Sequence, residues 1–151
     1  GMYVFQCCNS FVSSNDSQGW IVDSGANQHM IASDLQLKDA IDVSKLNLSV
    51  KHPNGSSASI NKIGNLQLSS HLTLFDVFVV PDFNVNLLFV HKLCRHKLCS
   101  CFNEHECKIQ DLKSMKVVEN GRVAGGLYYL NYFPSGISSI KLILLSVLCL
   151  N

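Results

Sequence analysis

The sequence has no excess of charge of either sign. Across 151 residues, 12 Lys and Arg stand against 11 Asp and Glu, a formal net charge of +1. Neither an acidic partner nor a strongly basic nucleic-acid surface is therefore expected. A secretory leader is also missing, because no basic stretch followed by an apolar run and a small-residue cleavage site opens the chain. The apolar stretch from Ile137 to Leu150 is interrupted by Ser138, Ser139, Lys141 and Ser146, and it falls short of the ~20 residues of a spanning helix. No membrane partner is expected. The seven cysteines are odd in number and lack the regular spacing of a secreted disulfide framework, so reduced thiols in an intracellular compartment fit better. Finally, the chain is too short for two lobes that each supply a catalytic group. A two-part site would have to come from two copies.

What is present is core material, since 47% of residues are apolar and only 15% charged, enough for one small globular unit. Residues 1–19 are read as a flexible arm, because Asn9 to Gly19 is mostly Ser, Asn, Asp, Gln and Gly. The folded domain is expected over 20–133, and the apolar tail 134–151 is assigned no element. Trp20-Ile21-Val22 is a β-favouring run stopped by Asp23-Ser24-Gly25. The alternation in Leu46-Asn47-Leu48-Ser49-Val50 predicts a half-buried strand, and His52-Pro53-Asn54-Gly55 a tight hairpin that returns over 57–60. Ile60 to Leu68 reads as a strand bent at Gly64, and Leu72 to Val80 as the strongest strand. Apolar residues at mixed three- and four-residue spacing predict a short helix over roughly Val85 to Lys97. Brief strands are expected at 99–102, 107–110, 116–119 and 127–133. The sum is an all-β chain, mostly β with one short helix, in a closed or nearly closed β-barrel.

The segment with chemical content is Trp20-Ile21-Val22-Asp23-Ser24-Gly25-Ala26, an acid at a strand tip followed by a hydroxyl and a glycine. Taken alone, Asp-Ser-Gly is also good turn chemistry. A second cluster, His91, Cys94, His96, Cys99, Cys101, His105 and Cys107, holds the residue types that bind zinc. Its spacing has no repeated C-x2-C pair, so no metal and no cofactor are expected.

Asp23-Ser24-Gly25-Ala26, Asn54-Gly55, Ile63-Gly64-Asn65, Val79-Val80-Pro81-Asp82, Asn86-Leu87-Leu88 and Gly126-Leu127-Tyr128-Tyr129-Leu130 follow one another in that order. This ordered set resembles the protease region of copia-type retrotransposon Pol polyproteins, a branch of the retropepsin-like aspartic proteases. The resemblance spans about Trp20 to Leu130. It implies a retropepsin-like β-barrel that works as a homodimer on a polyprotein peptide substrate inside the cell, in the cytoplasm or a virus-like particle, with no direct nucleic-acid binding. Asp23 would be the catalytic aspartate. Ser24, Gly25 and Ala26 would support the active-site loop, and the hairpin at Pro53, Asn54 and Gly55 would be a flap. His29 also fits the pattern, with no catalytic task implied. Where the family often has Ser or Gly, this chain has Phe89, a ring expected to crowd the loop. Cys99 and Cys107 match positions where cysteine is common in barrel strands. Because neither zinc motif that flanks this region in the family is present and the chain begins at Gly1, a fragment of a longer polyprotein is expected. A catalytically inactive barrel remnant and, less favoured, a small zinc-binding interaction module are the rival readings.

Overall fold

A computed structural model describes residues 19–130 apart from 26, 52–54 and 84. The expected arm, except for Gly19, and the apolar tail lie outside the described residues. Twelve strands and one short helix follow in the order β1 (Trp20–Asp23), β2 (Met30–Ile31), β3 (Lys38–Asp42), β4 (Ser49–Lys51), β5 (Ser57–Ser59), β6 (Lys62–Gln67), β7 (Thr73–Val79), β8 (Asn86–Phe89), α1 (Val90–Cys94), β9 (Leu98–Phe102), β10 (Glu106–Asp111), β11 (Val117–Ala124) and β12 (Leu127–Leu130). Ten of the strands form one sheet in the order β3-β6-β7-β2-β8-β1-β12-β11-β10-β9, while β4 and β5 pair separately. Among the described residues the chain is all-β with one short α-helix. Among the described residues β3 and β9 end the ladder without pairing to each other, so no sheet closes on itself.

Strand β1 lies near the middle of this sheet and feeds both of its faces. Trp20 and Val22 enter a core cluster with Leu66, Leu74, Val77, Leu88 and Ile109. Ile21 turns the other way, into a second cluster with Met30, Val50, Ala58, Val80 and Leu87. This two-residue period is that of a strand covered on both sides, where an unbroken apolar run is required.

The same logic corrects the helix expected over 85–97. Residues 86–89 are a strand, β8, parallel to β1 in the register Trp20↔Asn86, Ile21↔Leu87, Val22↔Leu88 and Asp23↔Phe89. Leu87 and Leu88 are both buried, in opposite clusters. A short run buried on both faces has no period of its own, and its spacing imitates a helix. Only Val90–Cys94 is helical.

Two further expectations shift. The strand predicted from Leu46 begins only at Ser49, because a 3-10 turn covers Ser44–Leu46 and Asn47 takes φ +51. The turn starts where the Ser44 N–H donates to Asp42 Oδ1 at 2.9 Å, and Asn tolerates the left-handed conformation that ends it. Leu46 is left 65% exposed while Val50 is buried. The hairpin is present, with Lys51 opposite Ser57, so its loop is five residues long rather than an Asn-Gly pair. The bend at Gly64 is a shift of register between Gly64 and Leu66 against β7. A Cβ at Gly64 would lie 3.0 Å from the Lys38 carbonyl oxygen.

The tightest approach in the sheet is at Gly121, which faces Cys107 on one side and Leu130 on the other. A Cβ there would lie 2.2 Å from the Tyr129 carbonyl oxygen and 2.8 Å from Cys107 Sγ. Backbone cannot yield as a side-chain tip can. Gly121→Ala is therefore expected to lower unfolding stability by about 3 kcal/mol or more, measured by urea titration; an unchanged midpoint would rule out this close approach.

Candidate active site

Asp23 ends β1 and is half-buried, whereas Ser24 and Gly25 are exposed. The Gly25 N–H donates to Asp23 Oδ1 at 2.6 Å, a local turn in which the carboxylate folds back on its own loop. Asp23, Ser24 and Gly25 form one wall of a cleft of about 370 Å³. Its other walls are Val85 and Leu87 next to and on β8, and Gly126, Leu127 and Tyr128 at the start of β12. Apolar surface thus flanks a single acid.

The β12 wall is set by a two-residue turn. Ala124 pairs with Leu127, and between them Gly125 and Gly126 take φ +56 and +79. Both positions need the left-handed region that glycine enters without strain. Gly-Gly between two β-rich runs is a hairpin signal that could have found this wall from sequence. The contributions of Val85 and Leu87 were hidden by the helical reading of that segment.

Ala26, Pro53 and Asn54 lie outside the described residues. Gly55 has φ +87, and the strands that carry its hairpin put Val50 and Ala58 into the cluster that also holds Ile21 and Leu87. The hairpin is thereby rooted on the layer beneath the cleft. Phe89 is half-buried, packs against that same cluster and lies 5.8 Å, centroid to centroid, from His91. Its ring is accommodated in the layer.

His29 is 1% exposed, and its Nδ1 accepts the Phe89 N–H at 3.0 Å. Next to it the buried Lys92 donates to Gln28 Oε1 at 2.6 Å and to the Asp76 carbonyl at 3.3 Å, with the Asp76 carboxylate at 3.7 Å. Burial holds the Lys92 ammonium below the usual lysine range, against the opposing pull of Asp76. In the Cys/His segment Cys99 lies near enough to Cys101 and Cys94 that, after its own desolvation, they raise its thiol pKa, while the other members have separate surroundings. Cys107 is buried, where desolvation raises its thiol pKa, His96 stacks on Phe75 at 4.7 Å, and His105 is exposed beside Glu104. Among the described residues no group of three or more His, Cys, Asp or Glu side chains is arranged to hold a metal ion, and no helix is long and apolar enough to cross a membrane.

Burial first, then the nearby charges of Lys92 and His96, lower the His29 pKa from 6.5 to about 3. The unfolded ring takes up a proton near 6.5, whereas the folded ring resists it until about 3. The stability contributed by the neutral ring is therefore complete above pH ~6.5 and is lost as the pH falls from there toward ~3. Relative to pH 7, the loss at pH 4 is on the order of 3 kcal/mol. Urea midpoints across this window should fall more steeply in the wild type than in His29→Asn, which has no proton to gain; parallel curves would contradict the assignment.

Residues 20–99, more than half of the chain, match the family model of the Pol polyprotein beta-barrel domain. No curated protein and no solved structure matches. The match runs from β1 through α1 into β9, including the Asp23 loop and β8, and the chain belongs to the Pol polyprotein beta-barrel domain family.

Proposed function

We propose that this domain is the aspartic endopeptidase region of a copia-type retrotransposon Pol polyprotein, active as a homodimer on peptide segments of the polyprotein. The observation that carries the reading is the position of Asp23. The acid of the one Asp-Ser-Gly run in the chain sits at a strand tip, half-buried, on the wall of a largely apolar cleft.

Peptide hydrolysis by carboxyl groups needs two of them in different states. One carboxylate takes a proton from water as the water oxygen attacks the scissile carbonyl, and one carboxylic acid donates a hydrogen bond to the carbonyl oxygen. The tetrahedral intermediate then breaks its C–N bond as a proton passes to the leaving nitrogen. Two equivalent Asp23 side chains about 3 Å apart can take these roles, because like charges at that distance cannot both persist and one proton is shared, as in the aspartic-protease pairs. A two-fold axis sets identical residues face to face. The exposed Ser24 and Gly25 are free to approach a second copy: Ser24 would brace the paired loops and Gly25 would let the backbones close. The hairpin of β4 and β5 would cover an extended substrate, whose main chain hydrogen-bonds as an added strand. The reading of the domain as an inactive remnant rests on Phe89, and the seating of that ring in the second cluster leads us to favour the active form.

Incubation with a polyprotein substrate at mildly acidic pH tests this. Asp23→Asn is expected to cut at least about 100-fold more slowly than the wild type, and the wild type should lose specific activity on dilution. Ser24→Ala should need a higher protein concentration for the same specific activity. Equal cleavage by the wild type and Asp23→Asn would remove the enzyme reading.

A further inference from the structure

We propose that His29 is a positioning residue for Asp23, its imidazole standing in for a missing rung of the sheet and clamping the return of the active-site loop onto the backbone of Phe89. This rests on the reading of Asp23 as the catalytic acid.

The loop leaves the sheet at Asp23 and re-enters it at His29, and both ends meet the same residue. Asp23 is the register partner of Phe89 in the parallel β1–β8 pair. On the opposite edge of β8, the Phe89 N–H is taken by His29 Nδ1 at 3.0 Å. That edge belongs to β2, which pairs with β8 at one position only, Met30↔Leu87. Continuing this antiparallel register would set Gln28 opposite Phe89. Instead the β2–β8 pairing stops at that one position, and the Phe89 N–H would be left without an acceptor inside the protein. A buried donor without a partner is destabilising, because it loses its water and gains nothing in return. The side chain of His29 fills the gap, while its own carbonyl accepts the Phe78 N–H at 3.0 Å. The loop is pinned to β8 and β7 together.

This role demands a particular form of the ring. Nδ1 accepts only when the imidazole is neutral with its proton on Nε2. The surroundings enforce neutrality: His29 is buried, and the cations facing it are Lys92, which also holds Gln28 by a 2.6 Å hydrogen bond, and His96 when protonated. A displacement of a catalytic group by about 1 Å can cost about 100-fold in rate, so a clamp six residues from the acid has leverage on catalysis without touching substrate.

The test uses His29→Phe, which keeps a ring but no acceptor, and His29→Asn, whose Oδ1 can occupy the place of Nδ1. Nitrogen-15 NMR of the wild type should show the His29 proton on Nε2. The Phe89 amide should exchange with solvent slowly in the wild type and in His29→Asn and at least about 10-fold faster in His29→Phe, with the amide of Ile109 in β10 unchanged. Cleavage is read separately, with kcat lowered at least about 10-fold in His29→Phe at nearly constant KM and largely restored in His29→Asn. A proton on Nδ1 in the wild type overturns the proposal even if neither variant folds. So does equal protection of Phe89 in all three proteins, or a His29→Asn as slow as His29→Phe. A wild type that never cuts defeats the assignment of Asp23, and the positioning role with it, whereas the amide and tautomer measurements still decide whether the clamp exists.

Discussion

Trp20 to Val22 are paired along both edges, with β8 parallel on one side and β12 antiparallel on the other, and Asp23 is paired with β8. Buried peptide groups must find partners, and for this strand the partners come from segments 66 and 106–110 positions downstream. That double pairing places Asp23 where the strand emerges, sets Leu87 and Leu127 on either side of it, and makes Phe89 its neighbour across the ladder. The cleft, the loop and the His29 contact all follow from it.

Legibility in the sequence divides along the range of the interactions. Trp20-Ile21-Val22 and its stop at Asp23-Ser24-Gly25 could be read because a β-rich run and a turn are local chemistry, and so could the hairpin around Gly55 and the glycine bend at Gly64. Strand β8 could not: burial of Leu87 and Leu88 on opposite faces is a property of the assembled layers, and before assembly the run fits a helix as well as a strand. β2 is apolar but only two residues long, and β3 is exposed throughout with charges at Lys38, Asp39 and Asp42, so neither carries a periodic apolar signal. Asp23 was visible through its motif. The part played by His29 was not, because its partner is a backbone N–H 60 residues away.

The family match and the site do not share boundaries. The matched residues supply Asp23, His29 and β8, but the match stops at residue 99, whereas β12 lies beyond it and supplies Leu127 and Tyr128 to the cleft. β12 also closes the second edge of β1. The physical unit that makes the site is therefore longer than the stretch that identifies the family. The narrow fit at Gly121 shows how closely this additional part is joined, with β10, β11 and β12 meeting where only a hydrogen atom has room.

The distance along the chain between the two walls of the cleft has a consequence for biosynthesis. A ribosome adding residues at the usual pace takes roughly 5–20 s to travel from Asp23 to Leu127, and throughout that interval the outer edge of β1 waits bare for β12. A nascent chain consequently carries Asp23 well before it carries the opposite wall of the cleft. Translation order thus sets the sequence of assembly, and the two sides of the cleft can meet only after the far hairpin of β11 and β12 has been made.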